Sequence, residues 1–201
     1  MVARLLCLLI GYGCGCLLTG ELVARLRAGC SASALGTGNP GMANLAHELG
    51  LRWGIAVLLG DIGKTALAWA VCRLALFPAL GASAGLWAGL GAVLGHNAPF
   101  WRRFRGGKGV TVTCASLILS VPLWGTLSCL SGLAITLLTG YLPLGAVAIP
   151  MLFLLTVPAW GTWESGFLAL ALTGMMFSRH IRGLGRILRG EEPRKFRPSR
   201  P

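Results

Sequence analysis

The sequence predicts an all-helical integral membrane protein, a polytopic bundle, and three observations carry that expectation. Charged residues are only 12% of the 201 residues, against 55% hydrophobic, where a soluble domain carries about 25% charged. Mean hydropathy is +0.72. The apolar residues fall in bilayer-length runs, and the basic residues gather between those runs.

The runs, in order, are Leu5–Val23, Trp53–Phe77, Leu80–Leu94, Val110–Leu138, Leu142–Trp160 and Phe167–Phe177. A span needs about 20 residues at a rise of about 1.5 Å each. The third run is short. The fourth is too long for one span and is divided by Pro122, because proline breaks a helix at the residue before it. Arg25, Arg27 and Arg52 flank one connection, and Arg102, Arg103, Arg105 and Lys108 crowd another. Arg179, Arg182, Arg186, Arg189, Arg194, Lys195, Arg197 and Arg200 fill the end of the chain, while the turns near Pro78 and Tyr141 carry almost no charge. The positive-inside rule makes the basic regions cytoplasmic. The N-terminus is then outside and the C-terminus inside, which requires an odd number of crossings. Splitting the fourth run at Pro122 gives about seven spans; merging two late runs gives five. The expectation is one membrane-embedded domain, 1–201, with 178–201 a basic cytoplasmic tail in which Arg179, Arg182, Arg186 and Arg189 line one face of an amphipathic helix on the membrane.

There are 18 lysines and arginines against 6 acids, and the pI is about 10.5. Nucleic acid is excluded as a partner because the basic residues are juxtamembrane, where anionic headgroups attract them. The seven cysteines lie mostly in apolar stretches and lack zinc-type spacing, so they read as small hydrophobes. The first run continues through Gly20-Glu21-Leu22 into further apolar residues and reads as a retained helix rather than a cleaved signal. Gly81, Gly85 and Gly89 recur every fourth residue, followed by Gly91 and Gly95, and Gly11 and Gly15 do the same in the first run. Such stripes let membrane helices approach closely.

Two loops carry chemistry. Gly36-Thr37-Gly38-Asn39-Pro40-Gly41-Met42-Ala43-Asn44 is either an ordinary turn or an anion cradle, since glycines let backbone N–H groups face a ligand. It is not a Walker loop, which ends in GK[ST]. Gly95-His96 through Val110 is the stronger signal. Its Gly106-Gly107-Lys108-Gly109 opens an apolar span, putting free amides, a helix dipole and an ammonium at one point. A phosphate or acyl phosphate suits that point; a basic anchor, with Phe100, Trp101 and Phe104 at headgroup level, is the other reading. Asp61 and Lys64 share a helix face about 12–16 Å inside the second span, as a structural pair or as part of a site. No serine–histidine–acid set is evident, and His47, His96 and His180 all fall in cytoplasmic regions.

In this order the loops resemble those of the PlsY-type bacterial acyl-phosphate:glycerol-3-phosphate acyltransferases. That family shows a GSGNxGATN-like first motif, a GHxFPxFxxFxGGKGVAT-like second and an RHxxNxxRxxxGxE-like third. They correspond to Gly36–Asn44, to Gly95-His96 through Thr111, and to Arg179-His180 through Arg186 with Gly190-Glu191; Asp61-Ile62-Gly63-Lys64 also looks like a family feature. The resemblance spans nearly the whole chain, and its second motif is the specific one. It implies transfer of a fatty acyl group from acyl phosphate to the 1-hydroxyl of glycerol 3-phosphate, giving lysophosphatidic acid, at the cytoplasmic face of a bacterial plasma membrane. Its implied partners are the two substrates and membrane lipids. No cofactor or metal is implied, and a monomer is expected with oligomers left open. Catalytic roles fall on Lys108, His180 and Thr37. Substrate or phosphate binding falls on Gly38, Asn39, Asn44, Lys64, His96, Gly106, Gly107, Gly109 and Arg186.

Several positions depart from the pattern. The family serine of the first motif is Thr37, its threonine is Ala43, and an arginine ten residues after the serine is His47. The third-motif asparagine is Gly183, a later serine is Ala146, and an acid and an arginine preceding the first motif are Ser31 and Ser33. An active acyltransferase is therefore weighed against a noncatalytic or redirected homologue that binds lipid precursors or another polyol phosphate, and against a small transporter. A transporter predicts midplane charges and internal repeats, and no clear repeat is present.

Overall fold

A computed structural model of the protein describes residues 1–194. Lys195, Arg197 and Arg200 of the basic tail lie outside the described residues. Among those described there is no strand. The α-helices are α1 Val2–Gly15, α2 Thr19–Ala28, α3 Met42–Leu49, α4 Leu51–Ala70, α5 Ala82–Asn97, α6 Val110–Ser120, α7 Pro122–Thr139, α8 Leu142–Thr156 and α9 Trp163–Leu188. A π-helical turn, Val71–Leu76, extends α4. The chain forms two compact units, Met1–Ser120 and the residues from Val121 onward.

Among the described residues, four helical stretches are long and apolar enough to cross a bilayer: Val2–Ala28, Leu51–Leu76, Pro122–Thr139 and Leu142–Ala159. Their outward side chains are apolar: Leu59, Leu67, Leu130 and Leu155 are all more than half exposed. Water would penalise that surface and lipid does not, while helical hydrogen bonding satisfies the backbone within each stretch.

In the first unit α1 and α5 run parallel, in contact along a glycine seam. A Cβ on Gly11 would overlap the Ala88 carbonyl and one on Gly15 the Ala92 carbonyl; on the other side, Gly91 meets the Leu8 carbonyl and Gly95 the Tyr12 carbonyl. Glycines from both helices thus let the backbones touch, the approach that membrane helices use in place of a hydrophobic drive. The opposite face of α5 places Gly85 and Gly89 against Ser120 and Ser116 of α6. Cys7, Ala68, Cys72, Ala84 and Ala88 fill the space between α1, α4 and α5. A second cluster of Val23, Ala24, Ala32, Leu45 and Val57 sets α2, α3 and the intervening loop on α4. The parallel register of α1 and α5 brings the Cys16–Leu18 break and the loop after α5 to the same end of this unit, and Pro40 folds the first glycine loop back against Gly20 of α2.

Three expectations change. The first apolar run is two helices: Cys16–Leu18 is non-helical, and Leu18 is extended at φ −83°, ψ 94°. Gly81 is a turn residue at φ 56° with nothing near its Cβ position, so it stands outside the packing stripe. The basic segment from Ser178 is the continuation of α9 rather than a separate tail helix, because nothing between Phe177 and Leu188 breaks it; Gly190, at φ 72°, follows its end. The division at Pro122 is present, with α6 ending at Ser120 and α7 beginning on the proline.

In the second unit Gly132 of α7 lies against Ile149, and Gly145 of α8 against Thr136. The Phe153 and Trp160 rings meet at a tilt, with centroids 5.3 Å apart and planes inclined by 51°.

The glycine seam makes a prediction. Gly95→Ala forces α1 and α5 apart and should lower the stability of the detergent-solubilised protein by about 1–3 kcal/mol, the usual cost of overpacking. Gly13→Ala, on the open face of α1, should leave it unchanged or raise it by up to about 1 kcal/mol. Thermal unfolding of the two variants side by side measures the contrast.

Candidate functional site

The site in the first unit is built on the break between α1 and α2. A helix that stops inside a membrane strands its last carbonyls, and these need donors from elsewhere. The Cys16 carbonyl accepts from the Trp101 indole at 2.8 Å, and the Leu17 carbonyl accepts from Lys64 Nζ at 2.8 Å. The same ammonium reaches Asp61 Oδ1 at 2.7 Å and His96 Nδ1 at 2.9 Å. Its three protons thus have three acceptors. Lys64 and Asp61 are buried, 6% and 2% exposed, where an unpaired charge would be costly. Thr19 Oγ1 donates to the same Asp61 oxygen at 3.4 Å.

With Nδ1 accepting from lysine, the neutral His96 ring carries its proton on Nε2. That edge of the ring lies against Gly107, where any Cβ would collide with it. The α5 end and the second loop are also joined through backbone: Gly107 N–H donates to the His96 carbonyl at 2.9 Å and Gly106 N–H to the Asn97 carbonyl at 3.0 Å. This corrects the expectation that both glycine amides face a ligand. They terminate α5 instead, and the glycines are needed for close approach. Gly109, at φ 79°, has no room for a side chain beside Asn97. Lys108 is exposed and stands directly before α6, whose first-turn amides have no intrahelical acceptor. Thr113 N–H to the Gly109 carbonyl, at 2.9 Å, begins the helical ladder. The Lys108 ammonium and the positive end of the α6 dipole thus lie close together in the chain.

The first loop is wound around Asn44. Its Oδ1 accepts from Thr37 N–H at 2.9 Å and Thr37 Oγ1 at 3.1 Å. Its Nδ2 donates to the Leu35 and Asn39 carbonyls, each at 2.9 Å. Gly36 at φ 49° and Gly38 at φ 73° make the reversals this needs. Asn44 thus organises the loop, while Thr37 remains exposed on it and the Asn39 side chain is half-buried. Pro40 seats the loop on α2, its carbonyl filling the place a side chain would take on Gly20. His47 is outside this arrangement, exposed and 2.7 Å from Glu48.

Sequence reasoning missed Glu21. It is 2% exposed and binds Arg25 at 2.8 Å, Ser31 Oγ at 3.1 Å and Ala32 N–H at 3.0 Å. Arg102, from the second loop, lies 3.3 Å from Glu21 Oε2 and donates to Ser31 Oγ at 3.0 Å. An acid inside an apolar run was the available signal, since such residues are rarely idle. Ser31, where the resemblance leads one to expect charge, is thus bonded to an acid and an arginine from elsewhere.

In the second unit His180 is buried, with Nδ1 2.9 Å from the Met176 carbonyl. A carbonyl only accepts, so Nδ1 carries the proton there. Arg186 pairs with Glu192 at 2.6 Å and, with Arg182 and Arg189, lines a cavity of about 350 Å³. Gly183 lies against the Pro143 ring, so a larger side chain at 183 requires that proline to move. Ala146 is buried in α8.

The profile of the family described as glycerol-3-phosphate acyltransferase matches residues 5–190. Glycerol-3-phosphate acyltransferase 1 of Lactobacillus johnsonii is 34% identical over 174 residues, covering 84% of this chain and 81% of that one. The glycerol-3-phosphate acyltransferase of Rhodospirillum rubrum is 34% identical over 198 residues, covering 94% and 89%. The crystal structure of PlsY, an integral membrane glycerol 3-phosphate acyltransferase, in its glycerol 3-phosphate form is similar at a TM-score of 0.84 and 27% identity, over 95% of this chain and 94% of that one. Its lysophosphatidic acid form gives 0.83 and 26% over the same shares.

The Lys64 node makes a second prediction. Lys64→Met leaves Asp61 buried without its cation and should destabilise the protein by about 3–5 kcal/mol, while Asp61→Leu with Lys64→Met, which removes both charges, should cost less. Unfolding midpoints of wild type, single and double variants test this; a single variant as stable as wild type would show that the pair does not hold the break.

Proposed function

The chain belongs to the glycerol-3-phosphate acyltransferase family, and on that premise we propose that it transfers a fatty acyl group from acyl phosphate to the 1-hydroxyl of glycerol 3-phosphate. The hydroxyl oxygen attacks the acyl carbon, the bond from that carbon to the phosphate oxygen breaks, and lysophosphatidic acid and inorganic phosphate leave. The hydroxyl proton passes to a phosphate oxygen. Acyl phosphate is an activated donor, so holding two anions in line and stabilising the developing charge supplies most of the rate. The observation that carries this reading is the exposed Lys108 at the open start of α6, on a loop clamped by His96.

Lys108 is assigned to the phosphate and to the charge that develops on the leaving oxygen. Gly109 and the first turn of α6 share that charge. Gly106 and Gly107 shape the loop, and His96 and Lys64 hold it. Thr37 takes the place of the family serine, with Gly38, Asn39 and Asn44 forming its loop. His180 orients or donates to a substrate oxygen, and Arg186 binds phosphate. The whole chain, 1–201, serves as one acyltransferase domain, consistent with a family match that runs through both units.

For the membrane arrangement we infer about seven crossings, the N-terminus outside and the C-terminus cytoplasmic, in a bacterial plasma membrane. The distribution of basic residues supports this, because Arg25, Arg27 and Arg52 flank the first glycine loop and Arg102, Arg103 and Arg105 lie within the second. The protein acts as a monomer among membrane lipids, drawing its donor from the bilayer side. A redirected acceptor is the second reading; it is favoured by Gly183, whose contact with Pro143 leaves no polar side chain at that position.

Purified protein given long-chain acyl phosphate and glycerol 3-phosphate should release phosphate and form lysophosphatidic acid. Lys108→Ala should lower kcat/KM by on the order of 10²–10³, the scale for losing one transition-state donor. A wild type that is inert with glycerol 3-phosphate but acylates another polyol phosphate would establish the second reading.

A further inference from the structure

Glu21, Ser31 and Arg102 join three segments that the sequence keeps apart. Glu21 sits in the first turn of α2, Ser31 five residues ahead of Gly36 in the first loop, and Arg102 six residues ahead of Lys108 in the second. Arg102 Nη2 donates to Ser31 Oγ at 3.0 Å, and Ser31 Oγ donates to Glu21 Oε2 at 3.1 Å. The Ala32 amide closes on the same carboxylate oxygen at 3.0 Å. The carboxylate is nearly sealed, and the Arg102 side chain is 14% exposed. Charge-assisted bonds with so little solvent are stronger and more directional than surface ion pairs. The second loop is held rigid on either side of Arg102. Trp101 is pinned to the Cys16 carbonyl, and Arg103 and Phe104 both adopt left-handed backbone, at φ 51° and 60°. Two adjacent non-glycine residues in that region persist only where the surroundings over-determine them.

We propose that Glu21 and Arg102 are positioning residues for the acyl transfer: bridged by Ser31, they fix the Thr37 loop and the Lys108 loop at the separation the reaction requires. The proposal rests on the reading that both loops serve that reaction. Each loop keeps its own internal bonds, the first around Asn44 and the second around His96. Loss of the bridge therefore leaves each substrate's contacts in place and misaligns the two. Misplacement on the order of 1 Å costs about 10²-fold in rate.

The test compares Arg102→Leu, Arg102→Lys and Arg25→Leu in the same detergent or nanodisc. Arg25 binds the same carboxylate but is 63% exposed and lies on α2 itself, so its loss leaves both loops seated. Arg102→Leu should lower kcat about 100-fold with KM for both substrates within about threefold of wild type, the signature of an interaction made in the transition state. Arg102→Lys should recover part of kcat, and Arg25→Leu should stay near wild type. Amide exchange across Ser31–Asn44 should rise in Arg102→Leu and not in Arg25→Leu. An unchanged kcat, a change confined to KM, or a lysine variant no better than leucine would overturn the proposal. If the wild type itself fails to turn over, the reading of the reaction has failed, and the coupling of the loops stands or falls on the exchange measurement.

Discussion

A single buried ammonium holds the first unit together at its functional end. The first apolar segment breaks at Cys16–Leu18, and a helix end leaves carbonyls that need donors from elsewhere in the fold. Lys64 answers one of them while it neutralises Asp61 and orders His96. One side chain thereby ties α1, α4 and α5 at the level where the first segment breaks and the second glycine loop begins. Its charge is committed to protein, whereas the Lys108 side chain is exposed.

The rest of the unit follows from that knot and from the glycine seam above it. With α1 and α5 in backbone contact, the Cys16–Glu21 stretch comes within reach of the second loop. Trp101 and Arg102 then reach back to Cys16, Ser31 and Glu21. His96, fixed by lysine on one edge, fits against Gly107 on the other. An acyl phosphate is an activated donor and calls for placed charge rather than a strong base, and loops organised by Asn44 and His96 suit that demand.

Much of this was legible from residue order. Runs of apolar residues, the proline at 122 and the basic loops pointed to a helical membrane bundle, because hydropathy and the cost of a bare backbone in lipid are local properties. The Gly-Gly-Lys-Gly loop before an apolar helix was legible for the same reason. The roles inside the loops were not. Asn44 could be read as a ligand from its motif, yet all four of its hydrogen bonds go to its own loop. Gly106 and Gly107 could be read as anion-binding amides, yet they close the end of α5. In each case the deciding partner lies across a turn or on another helix.

By itself the sequence determined the class of protein, the family resemblance, the placement of basic loops and the Gly-Gly-Lys-Gly motif that carries Lys108, since these depend on composition and on patterns within one segment. Only the tertiary structure decided that the first apolar run is two helices, that Lys64 and Asp61 meet the break between them, and that Glu21 and Arg102 meet across Ser31. Those contacts join residues 47 and 71 positions apart, for Lys64 with Leu17 and Arg102 with Ser31. A buried charge declares from sequence only that it must have a partner, and the choice of partner is made by which backbones the glycines allow to touch.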